Sequence, residues 1–263
     1  MKKLYVGTNT KMTKTIEDTI NFISSLQTLT DDLKDKITLF VIPSYTTLYP
    51  VSQIIDKSNI LLGAQNMCWE EQGQFTGEIS PLMLKEVNVD IAMIGHSERR
   101  HVFLEDDKVE SLKVKAAIDH GFTPLLCIGE TKEEKNYGIA DEVLRKQLKI
   151  GFSQIDKKNF DKIMVAYEPV WAIGVSGEPA SCEYAQAKHK VIKETLKELF
   201  GDLANDIPVL YGGSVNMNNA NEILEQESVD GLFVGRSAWD AENFNKLIRS
   251  ALPIWEAKEN NGQ

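Results

Sequence analysis

The chain has 263 residues, enough for one large domain with a substantial core. A net charge of −10 and a pI near 5.0 exclude nucleic acid and an anionic membrane as general partners, so an anionic ligand needs a local site of its own. No stretch approaches the roughly 20 apolar residues of a membrane span, the N-terminal segment lacks a signal-peptide core, and Cys68, Cys127 and Cys182 are scattered without metal-ligand spacing, a pattern that predicts a reduced, cytoplasmic protein.

Short β-branched runs alternate with longer amphipathic segments along the chain. Residues 4–9, 37–42, 60–65, 89–94, 122–127, 163–167, 208–211 and 229–234 are candidate strands. Helical periodicity separates them: Ile16, Ile20, Ile23 and Leu26 line one face of the first helix, and Ile192, Leu196 and Leu199 one face of the sixth. Eight strands, each followed by a helix in a chain of this length, predict an α/β protein built as a closed (β/α)8 barrel rather than an open doubly wound sheet. Nothing resembling a linker divides the chain, so residues 1–263 read as a single barrel domain, with a short polar tail over 258–263 expected to fray.

In such a barrel the active site lies where strands run into the loops that follow them. Polar and glycine residues collect there: Asn9 and Lys11 after the first strand, Gln65 and Asn66 after the third, and Gly95-His96-Ser97-Glu98-Arg99-Arg100 after the fourth. Cys127 to Glu130 follows the fifth strand, Glu168 the sixth, Tyr211-Gly212-Gly213-Ser214 the seventh and Gly235-Arg236-Ser237 the eighth. Residues 166–174, AYEPVWAIG, are the most informative. A buried strand ends there in a carboxylate, Pro169 stiffens the exit, and a glycine-bearing segment over 173–177 reads as a hinged lid. A carboxylate closed off from water in this way can act as a strong base. Taken singly, each residue has a plainer reading: Glu168 as a cap or ion-pair member, His96 as a satisfied structural group, Lys11 as a solvated charge, and Gly212-Gly213 as a turn. Cys127 reads as buried packing and His189 as a structural member of its helix's apolar stripe.

The motifs AYEPVWAIG, GHSERR, AQN with TGE, CIGE and YGGSV occur in the order of one family, and from Lys3 to about Ala251 the chain resembles the triosephosphate isomerases. The resemblance implies the TIM-barrel fold and a sugar-phosphate isomerase; because no Rossmann or phosphate-loop glycine pattern appears and the Cys and His residues lack metal-ligand spacing, no cofactor and no metal is expected. By the same resemblance Glu168 is the catalytic base, His96 the electrophile, Lys11 the cation facing substrate and Asn9 a substrate-side donor, with Glu98 the partner of Lys11. Gly174, Ser214, Gly235 and Arg236 fall where the family's backbone amides hold phosphate. The chemistry is coherent: one base can move a proton between adjacent carbons while an imidazole and a cation stabilise charge on the two oxygens. A helical turn over 97–103 would favour a neutral His96 through its N-terminal dipole.

The connection over 65–80 is long and carries Met67, Trp69 and Phe75. By resemblance it is the arm that docks on a second subunit, with Thr76 reaching the neighbour's site, which implies a homodimer. The family's triose reaction, interconverting glyceraldehyde 3-phosphate and dihydroxyacetone phosphate in glycolysis and gluconeogenesis, is the first expectation. Three departures point elsewhere. Thr10 stands where an aromatic usually separates the Asn and the Lys, the lid tip over 175–181 lacks the usual glycine, lysine and threonine series, and Gly235-Arg236 replaces a double glycine. These features are similar to the branch that isomerises tetrulose (erythrulose) phosphates in erythritol breakdown. A barrel that binds a phosphorylated metabolite without chemistry is the reading from a different class, and retention of Asn9, Lys11, His96, Glu98 and Glu168 together weighs against it.

Overall fold

A computed structural model of the chain describes residues 2–174 and 177–261. Eight parallel strands close into a barrel in chain order: β1 (Leu4–Asn9), β2 (Ile37–Ile42), β3 (Ile60–Ala64), β4 (Ile91–Ile94), β5 (Thr123–Ile128), β6 (Met164–Tyr167), β7 (Val209–Tyr211) and β8 (Gly231–Val234). Around it lie α1 (Ile16–Thr30), α2 (Tyr45–Ser52), α3 (Pro81–Glu86), α4 (Ser97–His101), α5 (Asp107–Asp119), α6 (Lys132–Asn136), α7 (Ala140–Gly151), α8 (Cys182–Phe200), α9 (Ala220–Leu224) and α10 (Ala241–Asn261). All eight expected strands are present, with ends displaced by one or two residues. The expected (β/α)8 barrel is the observed fold.

Strand residues alternate between two apolar clusters. Phe40, Ile42, Met93, Leu125, Cys127, Met164, Leu210 and Phe233 point inward and plug the barrel, with Phe40 and Phe233 stacked at 5.7 Å between ring centroids. Their strand neighbours, such as Val41, Leu126, Val165 and Leu232, point outward and meet the helices. The plug keeps the interior dry, so polar groups are left at the mouth, where the strands end.

Two expectations differ from what is observed. The buried face of α1 is Thr19, Phe22, Ile23, Leu26 and Thr30, while Ile16 is 48% exposed. Ile16 opens the first turn, where Thr15 and Asp18 form a reciprocal capping box that fixes the helix entry and leaves Ile16 outside the barrel contact. The polar segment from Lys258 is not frayed as far as Asn261: it continues α10, because the Lys258 ammonium binds the carbonyls of Leu224, Gln226 and Val229 at 3.1, 2.5 and 2.7 Å, tying the end of α10 to the segment leaving α9. Burial holds the Lys258 ammonium down to a pKa of about 8.

In the connection over 65–80, Met67 is buried within the barrel's own fold and Trp69 packs edge-on against Phe75 at 5.9 Å, leaving Phe75 39% exposed and Thr76 exposed. His189 on α8 is fully buried, its Nδ1 3.2 Å from the Ser228 carbonyl and its ring edge-on to Tyr167.

Burial depresses the His189 pKa to about 3. A base with a depressed folded pKa contributes stability that is fully present above its unfolded pKa of about 6.5 and is lost as pH falls towards the folded value. The melting temperature is therefore expected to fall between pH 7 and pH 4 more steeply in the wild type than in His189→Gln, which keeps a donor for Ser228 and cannot charge. Equal slopes in a paired melting series would place the acid sensitivity elsewhere.

Candidate active site

Asn9 ends β1 and is buried; its Oδ1 accepts the Lys11 amide at 2.8 Å and the Gln65 side-chain amide at 3.1 Å. Those bonds hold Lys11 in a left-handed backbone conformation, φ 51°, and Gln65 also donates to the Lys11 carbonyl at 2.8 Å. The Lys11 ammonium is thereby aimed at Glu98, 2.8 Å away. From the segment beyond β8, the Trp239 indole donates to the Asn9 carbonyl at 2.9 Å.

His96 caps the single turn of α4 and is 3% exposed. Its Nδ1 accepts the Glu98 amide at 3.2 Å, which leaves the ring proton on Nε2. Nε2 faces Glu168 Oε1 at 3.7 Å. Glu168 is equally dry, and its Oε2 has no hydrogen-bond partner among the described residues. Its backbone is fixed from both sides: its amide donates to the Ile128 carbonyl at 2.7 Å, and Gly212 donates to the Tyr167 carbonyl at 2.7 Å. The neighbours must be glycine. A Cβ on Gly129 would lie 1.9 Å from the Glu168 carbonyl oxygen, and one on Gly212 would lie 2.8 Å from Glu168 Cγ.

Beyond Lys11 opens a cavity of about 660 Å³, lined by Gly174, Gly213, Ser214, Gly235, Arg236 and Trp239 among others. The sequence-predicted residues Asn9, Lys11, His96, Glu98 and Glu168 thus meet on one side, and Gly174, Ser214, Gly235 and Arg236 on the other. Thr76 stands apart, exposed on the 65–80 connection. Arg236 reaches across the cavity and its Nη2 donates to the Gly174 carbonyl at 3.1 Å, so it bridges β8 to the start of the lid. Within the lid tip expected over 175–181, Val175 and Ser176 lie outside the described residues.

Glu130, last residue of CIGE, is a site residue to which the sequence assigned no role. It is fully buried and accepts the Trp171 indole at 2.7 Å, the Tyr184 hydroxyl at 2.9 Å and the Tyr167 hydroxyl at 3.1 Å. One carboxylate therefore grips Trp171, before the lid, and Tyr184, after it. The sequence signal was a carboxylate at a strand end, followed at a distance by Trp and Tyr; no spacing rule joins the three. Cys127 lies in the barrel plug, and burial pushes its thiol well above the usual range, consistent with a packing role.

A dry carboxylate, an imidazole bearing an Nε2 proton and a cation converge here beside a cavity rimmed by backbone amides. This can remove a carbon-bound proton, stabilise the resulting oxyanion and hold a phosphate. The chain belongs to the triosephosphate isomerase family, whose model matches residues 4–251. It is an isomerase, and its substrate class is a phosphosugar. It is 47% identical to a Rhizobium etli protein over 246 residues, 93% of this chain and 91% of that one. It is 43% identical to a Rhizobium meliloti protein over 94% of this chain and 96% of the relative, and 44% identical to a Brucella abortus protein over the same shares. All three are described as L-erythrulose-1-phosphate isomerase. The non-catalytic reading falls away. No helix among the described residues is long and apolar enough to cross a membrane.

Proposed function

We propose that the protein isomerises a four-carbon ketose phosphate, moving the carbonyl between C2 and C3 of erythrulose 1-phosphate. The observation that carries this over the triose reaction is the likeness, across more than nine-tenths of the chain, to relatives described as L-erythrulose-1-phosphate isomerase. The triose interconversion, the first expectation from the catalytic set alone, becomes the second reading. The Gly-Arg pair after β8 supports the change, because it alters the phosphate end of the cavity. Three unpaired cysteines, two of them buried, fit a reduced cytoplasm.

Glu168 removes the proton from C3, and the released electron pair forms the C2–C3 double bond of an enediolate. Charge arriving on O2 is met by the Lys11 ammonium and the His96 Nε2 proton. His96 then passes a proton from O3 to O2, Glu168 returns its proton to C2, and O3 becomes the carbonyl. Numbered from its other end, the product is erythrulose 4-phosphate. No electron leaves the molecule, so no oxidant and no cofactor is required. Asn9 orients Lys11 and the substrate oxygen, Glu98 holds the ammonium in place, and the amides of Gly174, Ser214, Gly235 and Arg236 take the phosphate.

A homodimer is the assembly that suits this site. Met12 and Phe103, 94% and 62% exposed, flank a pocket of about 240 Å³ that reaches Asn9, Lys11 and Gln65, and the partner subunit's Thr76 is its expected occupant. Sedimentation of the purified protein at micromolar concentration is expected to give twice the chain mass, and Phe103→Glu to reduce it to one; a monomeric wild type would end the dimer proposal.

Glu168→Gln is expected to fold and bind phosphate normally while losing about two to four orders of magnitude in kcat, the range for a positioned acid–base group. Near-wild-type turnover would remove Glu168 as the base.

In a coupled assay with three- and four-carbon phosphates, kcat/KM for erythrulose 1-phosphate is expected to equal or exceed that for dihydroxyacetone phosphate. Arg236→Gly should shift the ratio of the two by about 1–3 kcal/mol of discrimination. Fast triose conversion with no detectable tetrulose turnover would sink the four-carbon reading.

A further inference from the structure

We propose that Arg100 is a positioning residue for His96, holding the ends of β4 and β5 together beneath the imidazole, and that the buried carboxylic acid of Glu110 governs that hold. The proposal rests on His96 acting in the isomerisation. Arg100 lies one turn beyond His96 on α4, and its side chain is 8% exposed. Its Nε donates to the Gly95 carbonyl at 2.8 Å, the peptide that leads into His96, and its Nη2 donates to the Cys127 carbonyl on β5 at 3.1 Å. Nη1 binds Asp107 at 2.6 Å, and Nη2 also meets Glu110. The planar fork thus spans two strand ends at once, a geometry that an ammonium cannot copy.

The backbone is shaped around this guanidinium. Gly95 has φ +75°, and a Cβ there would come within 2.8 Å of Arg100 Nη2 and 3.0 Å of both the Cys127 carbonyl and Glu110 Oε2. Gly95, Ser97, Arg100, Gly129 and Glu168 line one small cavity, so the guanidinium shares a space with Glu168 and with the residues on either side of His96.

Glu110 is fully buried on α5. The charged groups around it are Arg100 from α4, Asp107 and Lys113 from its own helix, and Glu105 from the preceding loop, while Lys146 from α7 pairs with Asp107 at 3.0 Å. Burial pushes the Glu110 carboxyl up to a pKa of about 8. At neutral pH it is therefore mostly protonated; Nη2 is shared between the Cys127 carbonyl and Glu110 Oε2, and a neutral acid draws on that N–H less than a carboxylate does. As pH rises past that value it ionises and competes for the same N–H, drawing Arg100 away from the strand ends.

The test compares wild type, Arg100→Lys and Glu110→Gln, with melting curves recorded for each. Arg100→Lys keeps the charge and loses the fork; kcat is expected to fall about 10–100-fold, the cost of a misplacement near 1 Å, with KM changed less than about twofold because the phosphate end is untouched. Between pH 7 and pH 9 wild-type kcat should drop at least about threefold through a step near pH 8. Glu110→Gln, which cannot ionise, should lose that step. A kcat for Arg100→Lys equal to wild type, a loss confined to KM, or a step retained in Glu110→Gln would each overturn the proposal. An activity-free readout separates this from the assigned reaction: the 15N signals of the His96 imidazole should report a single Nε2-protonated form in wild type and a mixture in Arg100→Lys. Identical signals in the two proteins would refute the positioning role even if no assayed sugar phosphate proved to be a substrate.

Discussion

Everything at the mouth of this barrel is arranged around a carboxylate and an imidazole held 3.7 Å apart, both almost dry. In water such a pair would wander and hydrate. Here the desolvation of Glu168 is enforced from below by the apolar plug of Phe40, Met93, Leu125, Leu210 and Phe233, and its position by flanking glycines whose absent side chains leave room for it. The imidazole is fixed through its other nitrogen, which accepts an amide proton at the start of α4. Neither group makes a hydrogen bond to the other at that distance, so both remain available to a substrate lying between them.

Holding a polar pair in a dry place requires support further out, and the fold supplies it as buried charge. Arg100 with Asp107 and Glu110 lies on the His96 side, and Glu130 with Tyr167, Trp171 and Tyr184 on the side of the lid. In each cluster an ionic group collects partners from more than one element, the next helix for Arg100 and distant segments for Glu130, so loss of one partner leaves the others buried without compensation. That asymmetry makes the clusters rigid supports. Glu130 bears on the lid most directly, because Trp171 and Tyr184 bracket it and also pack edge to face at 5.5 Å, with the Lys135 ammonium 3.3 Å above the Trp171 ring.

The features legible in the sequence were those with a local cause. Strands announce themselves by β-branched runs, and a barrel places its chemistry at the ends of those runs, so Asn9, Lys11, His96, Glu98 and Glu168 are legible in the sequence as one group. Of the expected face of α1, Ile23 and Leu26 are buried, but periodicity alone cannot tell Ile16, at an exposed first turn, from Phe22, which meets the barrel. The partners of Glu130 lie 37, 41 and 54 residues away, and the indole that binds the Asn9 carbonyl comes from residue 239. Long-range satisfaction of this kind has no period and no motif. The tail has a related cause: a lysine in a polar run looks solvated, whereas Lys258 is held by three carbonyls at and beyond the end of α9.

The acidic character of the chain sharpens the question of how it holds a phosphate at all. Of the residues lining the larger cavity, only Lys11 and Arg236 carry positive charge, and Lys11 is already paired with Glu98. Among the described residues Arg236 pairs with no carboxylate and donates to a neutral carbonyl, that of Gly174. A guanidinium can keep that carbonyl with one edge and offer the other to phosphate oxygens, which a glycine at the same position could not do. The exchange adds attraction for the anion and also bulk beside it, and the two effects act on substrate choice in different ways. Attraction strengthens binding of every sugar phosphate alike, whereas bulk shifts where the phosphate rests and so changes which carbon lies between Glu168 and His96. On the four-carbon proposal, discrimination between three- and four-carbon substrates rests on the second effect, with the lid and the Arg236–Gly174 bridge proposed to set the distance from phosphate to base.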